Sequence, residues 1–148
     1  MAYELVPARV EDKAWLECLR RDVYQELFKV TFGGWDEVRH VRQFAECWER
    51  GHISIIKVDG ARVGMIQLFE QPHVVEVGEI QLQPSHQSRG IGSRTLKDTI
   101  AGALKQGKEV ILSVGLKNDR ALQLYLRLGF QKVAQSETHN HMVFNRQS

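Results

Sequence analysis

At 148 residues the chain is sized for one domain with a substantial core, and 43% apolar with 26% charged content is ordinary for a water-soluble globular protein. Twenty basic against eighteen acidic residues leave a net charge of +2, too even a balance to mark a nucleic-acid binder. No apolar run approaches the ~20 residues that a membrane span needs.

The N-terminal Met1-Ala2-Tyr3-Glu4 lacks the basic-then-apolar order of a signal peptide, so a cytoplasmic protein is expected. Tyr3 to Pro7 alternates weakly, as a first strand would. Glu11 to about Phe28 reads as a helix: Trp15, Cys18, Leu19, Val23 and Leu27 recur at three- and four-residue spacing, with Arg20, Arg21, Asp22 and Glu26 largely off that stripe. Gly33-Gly34 breaks the pattern, flanked by Phe32 and Trp35 in a loop that is either a lid on the core or part of a binding pocket. A second helix runs from Asp36, a candidate N-cap, to Arg50, with Val38, Val41, Phe44, Ala45 and Trp48 on its apolar side and Gly51 at its end. Cys18 and Cys47 fit no metal-ligand spacing and read as reduced thiols filling a core.

Ile53 to Val58 and Val63 to Phe69 flank Asp59-Gly60, a two-residue hairpin signal, with Gly64 at a candidate bulge. Val74 to Gln83 is a further strand. Val74, Glu76, Gly78, Ile80 and Leu82 take one face, and Val75, Val77, Glu79, Gln81 and Gln83 the other. After a glycine turn, Leu96, Ile100, Ala103 and Leu104 mark a helix ending near Gly107. Val110 to Val114 is nearly all apolar, as in a strand with neighbours on both sides. Asn118 caps a helix whose apolar face is Ala121, Leu122, Tyr125 and Leu128, closed by Gly129. Strands follow at Phe130 to Val133 and His139 to Phe144. No repeat or linker interrupts the chain, so residues 1–148 are expected to form a single α/β (α+β) domain: a mixed six- to seven-stranded sheet with about four helices on both faces.

The turn His86-Gln87-Ser88-Arg89-Gly90-Ile91-Gly92-Ser93-Arg94 joins a strand to a helix start. Two glycines let the backbone curve and aim its N–H groups at one spot. The first helical turn leaves amides unpaired at the positive end of the dipole. Arg89 and Arg94 add charge, so the turn favours a phosphate or diphosphate. A P-loop would need Lys-Ser or Lys-Thr after a longer glycine loop. A dinucleotide fingerprint would need a third small residue where Thr95 stands and an acid at the end of the next strand. Both readings fail.

The turn resembles the pyrophosphate loop of the GNAT acyltransferase superfamily, in which Gln or Arg is followed after two residues by Gly, one residue and Gly or Ala; Gln87, Gly90 and Gly92 fill it, with Leu82 as the apolar residue five positions before. A second motif, Asn118 through Ala121 and Tyr125 to Gly129-Phe130, also matches, and so does the element order. The resemblance implies acetyl-CoA as cosubstrate, bound by Leu82, Gln87, Ser88, Arg89, Gly90, Ile91, Gly92, Ser93, Arg94, Asn118 and Ala121. It implies transfer to a primary amine, a small molecule or a peptide, by direct attack. Homodimers are common in that superfamily, and nothing in the sequence marks one here.

Tyr125 lies seven residues after Asn118, about two turns along one helix face. The resemblance makes it the general acid toward a departing thiolate, a phenol of reference pKa about 10 against about 8.5; by pattern alone it is a core tyrosine. The superfamily's base often stands eleven residues before the loop's Gln, here Glu76, with Glu79 nearby on the opposite face; water chains and solvated carboxylates are the alternatives. The acceptor pocket would draw on Phe32, Trp35, Glu76, Glu79 and His139. His139 and His141 share one side of a strand, but no third ligand supports a metal site. A non-catalytic CoA-binding module with a regulatory or structural role is the competing reading, and a nucleotide-binding domain a weaker third.

Overall fold

The sequence folds into eleven principal elements, in the predicted order, in a computed structural model. It describes residues 2–32 and 34–145, without the side chains of residues 26 and 28–32. They are β1 (Glu4–Pro7), α1 (Lys13–Phe32), α2 (Glu37–Arg50), β2 (Ile53–Val58), β3 (Ala61–Glu70), β4 (Val74–Leu82), α3 (Ile91–Lys105), β5 (Glu109–Gly115), α4 (Asp119–Leu128), β6 (Gln131–Gln135) and β7 (His139–Phe144). Among the described residues seven strands form one mixed sheet in the order β1-β2-β3-β4-β5-β7-β6. No helix among them is long and apolar enough to cross a membrane. The chain divides into two compact units: the residues up to Gln67 together with Glu79–Ile91, and Leu68–Gly78 together with the chain from Gly92 on.

In the first unit β1 runs antiparallel to β2, and β2 turns back into β3 through Asp59-Gly60. Both turn residues have positive φ, 53° and 80°, the backbone that a two-residue hairpin needs. Ile56 pairs with Gly64 and Lys57 with Arg62, so Val63 is the extra residue of a bulge beside the predicted glycine. Leu16, Leu19, Phe44, Ile53, Ile55 and Met65 form a core joining α1 and α2 to one face of this hairpin.

The two helices are rotated from the faces that apolar spacing suggested. On α1 the buried residues are Leu16, Leu19 and Arg20, while Cys18 is exposed. On α2 they are His40 and Phe44, with Gln43, Cys47 and Trp48 half-buried, and Val38 and Val41 are 69% and 52% exposed. Arg20 contributes to this: a buried guanidinium must find acceptors, and it finds them in His40 and Gln43 of α2. Cys18 is therefore no core thiol. Asp36 caps α2 as expected, accepting from the Arg39 amide at 3.0 Å. At the other end the buried Gln67 side chain donates to the carbonyls of Cys47 and Gly51, each at 2.9 Å, taking up acceptors that the last helical turn leaves over.

In the second unit the first half of β4 is parallel to β5, from Val74↔Glu109 to Val77↔Leu112, and β7 is antiparallel to both β5 and β6. The central β5 buries Val110, Leu112 and Val114. Asn118 caps α4 by accepting from the Ala121 amide, and Gly129 ends it at φ 105°. A ladder of edge-on rings, Tyr125 to Phe130 and Phe130 to Phe144, packs α4 on β7.

Gly64 sits where two backbones nearly touch: a Cβ there would lie 2.3 Å from the Gln81 carbonyl oxygen and 2.6 Å from Leu82 Cδ2. Gly64→Ala is expected to destabilise the protein by about 1–3 kcal/mol, read as a lower midpoint in urea, because backbone rather than a flexible side chain must yield.

Candidate functional site

The corner after β4 is built from a short run of unusual backbone. Pro84–His86 makes one 3₁₀ turn, Ser88 adopts φ 63° and Gly90 φ 82°, and α3 begins at Ile91. Ser88, Arg89 and Gly90 are exposed, while Ile91 is buried and anchors the helix start. A Cβ on Gly90 would meet nothing within 4 Å, so the left-handed backbone is what calls for glycine there. Gln87 does not reach outward. Its side-chain amide donates to the Leu82 carbonyl at 3.1 Å, tying the turn to the strand end. Gly92 and Ser93 are half-buried in the first turn of α3, and the exposed Arg94 lies 3.9 Å from Asp98, a surface pair of small energetic weight. The start of α3 is the positive end of a fifteen-residue dipole.

The two candidate carboxylates lie on opposite faces of β4, as the alternation implied. Val75, Val77 and Gln81 are buried on the face that carries Glu79. The Glu79 carboxylate accepts the Tyr24 hydroxyl at 3.1 Å and, more loosely, the Gln81 amide at 3.4 Å. Glu76 is half-buried on the other face. In the second unit Asn118 and Ala121 meet through the cap, and Tyr125 is 7% exposed, its ring edge-on to Phe130 with centroids 5.8 Å apart.

Around Tyr24 runs a polar cluster that sequence patterns did not reveal. The Arg20 guanidinium lies over the Tyr24 ring, 5.0 Å from its centroid, and donates to His40 Nδ1 at 3.1 Å and Gln43 Oε1 at 2.6 Å. A guanidinium only donates, so Nδ1 accepts and the neutral ring carries its proton on Nε2, 3.7 Å from the Glu17 carboxylate. Burial first, then the Arg20 and Arg21 charges, hold His40 below its ordinary value. Burial, then the Glu79 charge, pushes the Cys47 thiol up to about 11, so it stays protonated and is a poor nucleophile. Trp35 packs on His40 and donates to Glu37 at 2.9 Å. Phe32, the other aromatic of the predicted acceptor pocket, has its side chain outside the described residues. His139 Nδ1 is bonded to Thr138 Oγ1, and His141 Nδ1 to Ser113 Oγ, both at 2.8 Å. Among the described residues no group of three His, Cys, Asp or Glu side chains is placed to hold a metal.

The sequence model of the acetyltransferase (GNAT) family matches residues 20–130. The chain belongs to the GNAT acetyltransferase family. An uncharacterised N-acetyltransferase of Methanocaldococcus jannaschii is 27% identical over 127 residues, covering 75% of this chain and 56% of that protein. The N-alpha-acetyltransferase RimI of Mycobacterium tuberculosis is 44% identical over 73 residues, 49% of this chain and 42% of its own. The GNAT chain thus spans about half the length of these relatives. In fold it is similar to the PaiA N-acetyltransferase of Thermoplasma acidophilum, solved with coenzyme A: TM-score 0.74 at 18% identity, over 97% of this chain and 98% of that one.

Sequence reading missed Arg20, Tyr24, His40, Gln43 and Gln67, and a signal for most of them was there. Leu16, Leu19, Arg20, Val23 and Tyr24 share one helical face, as do His40, Gln43, Phe44, Cys47 and Trp48; both faces were masked by the more apolar positions beside them.

His40 excludes a proton that the unfolded chain binds. Above pH 6.5, the ordinary histidine value, both states are neutral and the difference is nil; below it stability falls as pH drops toward the lower native value. The melting temperature is expected to fall between pH 6.5 and 5. His40→Gln should lower it at pH 7.5 yet flatten that slope; an unchanged slope would place the titration elsewhere.

Proposed function

We propose that the protein is an N-acetyltransferase, the whole chain acting as one GNAT-type domain that moves an acetyl group from acetyl-CoA to a primary amine. The observation that carries this reading is the turn at 87–92, exposed at Ser88, Arg89 and Gly90, with left-handed backbone at Ser88 and Gly90 and a side-chain strap from Gln87 to Leu82. The relatives support it: PaiA was solved with coenzyme A, and RimI is named for acetylating an α-amino group.

In this reading backbone N–H groups of the turn around Gly90 and Gly92 hold the diphosphate of the donor, with Gln87, Ser88, Ile91, Ser93 and Arg94 flanking it, and Arg89 adds charge from the exposed rim. Leu82 offers backbone groups to the pantetheine amides, and Asn118 and Ala121 contact the same arm. When bound, acetyl-CoA supplies an electrophilic thioester carbon, to which the amine nitrogen bonds as the C–S bond breaks, leaving an acetamide and a free thiol. Tyr125 Oη gives its proton to the departing sulfur. A carboxylate oxygen of Glu76 or Glu79, or an ordered water, takes the proton that the acceptor nitrogen sheds. Acidic groups on the acceptor side suit a cationic amine.

Gly90→Val is expected to weaken acetyl-CoA at least tenfold in calorimetric titration. A branched residue in left-handed backbone costs only about 1–2 kcal/mol, so the variant should still melt cooperatively. Unchanged affinity would remove the turn from the donor site. Tyr125→Phe keeps the ring against Phe130 and loses only the hydroxyl. Turnover, read as thiol release over a panel of amines, should fall by roughly a hundredfold or more with acetyl-CoA affinity intact. An equal loss of affinity would make Tyr125 a packing residue, and coenzyme A binding without turnover in the unaltered protein would favour a non-catalytic binding module.

A further inference from the structure

We propose that Tyr24 of α1 is the positioning residue for the acceptor-side base, and that this base is Glu79 rather than Glu76. The inference rests on the acetyltransferase reading above. Its starting point is the hydroxyl of Tyr24, 3.1 Å from the Glu79 carboxylate and fifty-five residues away in sequence. A glutamate has three rotatable bonds, and on a strand its carboxylate sweeps a wide arc. A base must hold one lone pair within hydrogen-bond reach of a single proton. Tyr24 removes that freedom with one directional bond, and Gln81, two residues along the same strand face, supports it from the side at 3.4 Å.

Tyr24 is itself held. The Arg20 guanidinium covers its ring at 5.0 Å and is clamped to α2 by His40 Nδ1 and Gln43 Oε1. Arg20 and His40 are 6% and 0% exposed, so this support is rigid. The arrangement also separates two tasks. The buried cation is spent on α2 acceptors and an aromatic face, and a neutral hydroxyl is what meets the carboxylate. In the reaction the acceptor nitrogen's proton passes to a Glu79 oxygen; the Tyr24 hydroxyl proton stays where it is, donated to that carboxylate before and after. The choice of Glu79 stands on these two donors, Tyr24 and Gln81, which fix the direction of its carboxylate.

A double-mutant cycle in the full chain tests this. Tyr24→Phe keeps the ring beneath Arg20 and deletes only the hydroxyl, so the melting temperature should barely move. Its kcat, read by thiol release with the best acceptor from an amine panel, should fall roughly tenfold, with the KM for acetyl-CoA unchanged. Glu79→Gln should lower kcat further, and in that background Tyr24→Phe should cost almost nothing, since the hydroxyl has lost the charge it orients. Additive losses, or a Tyr24→Phe effect carried by melting temperature and both KM values alike, would overturn the positioning role. Full turnover in Glu79→Gln with loss in Glu76→Gln would overturn the choice of base. Thiol release by the unaltered protein in those cases leaves the acetyltransferase reading standing, whereas no release with any amine would overturn that reading and this one together.

Discussion

The approach of β3 to the end of β4 is the constraint on which the candidate donor corner depends. At Gly64 the chain has no Cβ, and the Gln81 carbonyl and the Leu82 side chain occupy the space one would fill. The neighbouring Val63 carbonyl accepts the Gln83 amide at 2.8 Å, which pins the residue where the strand gives way to the turn. The Leu82 carbonyl then accepts from Gln87. Strand end, turn entry and glutamine strap are thus fixed by one close backbone contact and two hydrogen bonds. The turn adds pairing of its own, the His86 amide to the Gln83 carbonyl at 2.8 Å and the Gln87 amide to the Pro84 carbonyl at 3.3 Å, so its entry is held from the strand behind it and from within.

A second constraint is the buried charge of Arg20. Desolvating a guanidinium costs several kcal/mol unless its donors are satisfied. That cost explains why α2 turns His40 and Gln43 inward while leaving Val38 and Val41 in water, an exchange that apolar burial alone would reverse. Around this charge the first unit keeps an ordered polar layer: Gln67 on the last carbonyls of α2, Cys47 on Gln67, Tyr24 on Glu79. Such a layer admits far fewer alternative packings than an apolar one, since each slip strands a donor or acceptor. Precision of that kind is what the neighbourhood of a proton-transferring carboxylate requires, and a purely hydrophobic helix-on-sheet contact would not supply it.

The elements were legible in the sequence because each carries a local marker. Asp36 and Asn118 announce helix starts, Asp59-Gly60 a hairpin, Gly129 a helix end, and alternation along 74–82 a strand with its two carboxylates on opposite faces. The turn at 87–92 was legible as a turn too, because Gly90 takes the left-handed backbone, φ 82°, that favours glycine. What stayed hidden is what depends on tertiary partners. Periodicity found the helices and much of their inner faces, Trp15, Leu19 and Val23 on α1 and Phe44 and Trp48 on α2, but misplaced the edges of both. It scores Val38 and Val41 as interior and Arg20 as exterior, and only a partner across the helix pair reverses that order. Cys18 went astray for the same reason. The Tyr24–Glu79 bond joins α1 to β4 over a separation at which no pattern speaks.

The two glutamates of β4 show how far such partners can divide like residues. Three positions apart on a strand, Glu76 and Glu79 have the same chemistry and opposite faces. Spacing from the loop's glutamine points to Glu76, because that spacing measures distance along a strand and is blind to what comes down onto it. Glu79 shares its face with Val75, Val77 and Gln81, all buried, and meets the Tyr24 hydroxyl of α1. A carboxylate there is partly stripped of water, restrained in direction and bonded by neutral donors. Those restraints supply the direction that taking a single proton from a bound amine would use. Each follows from how α1 and α2 settle around Arg20, so the chemistry proposed for β4 is shaped by a cation that never touches it.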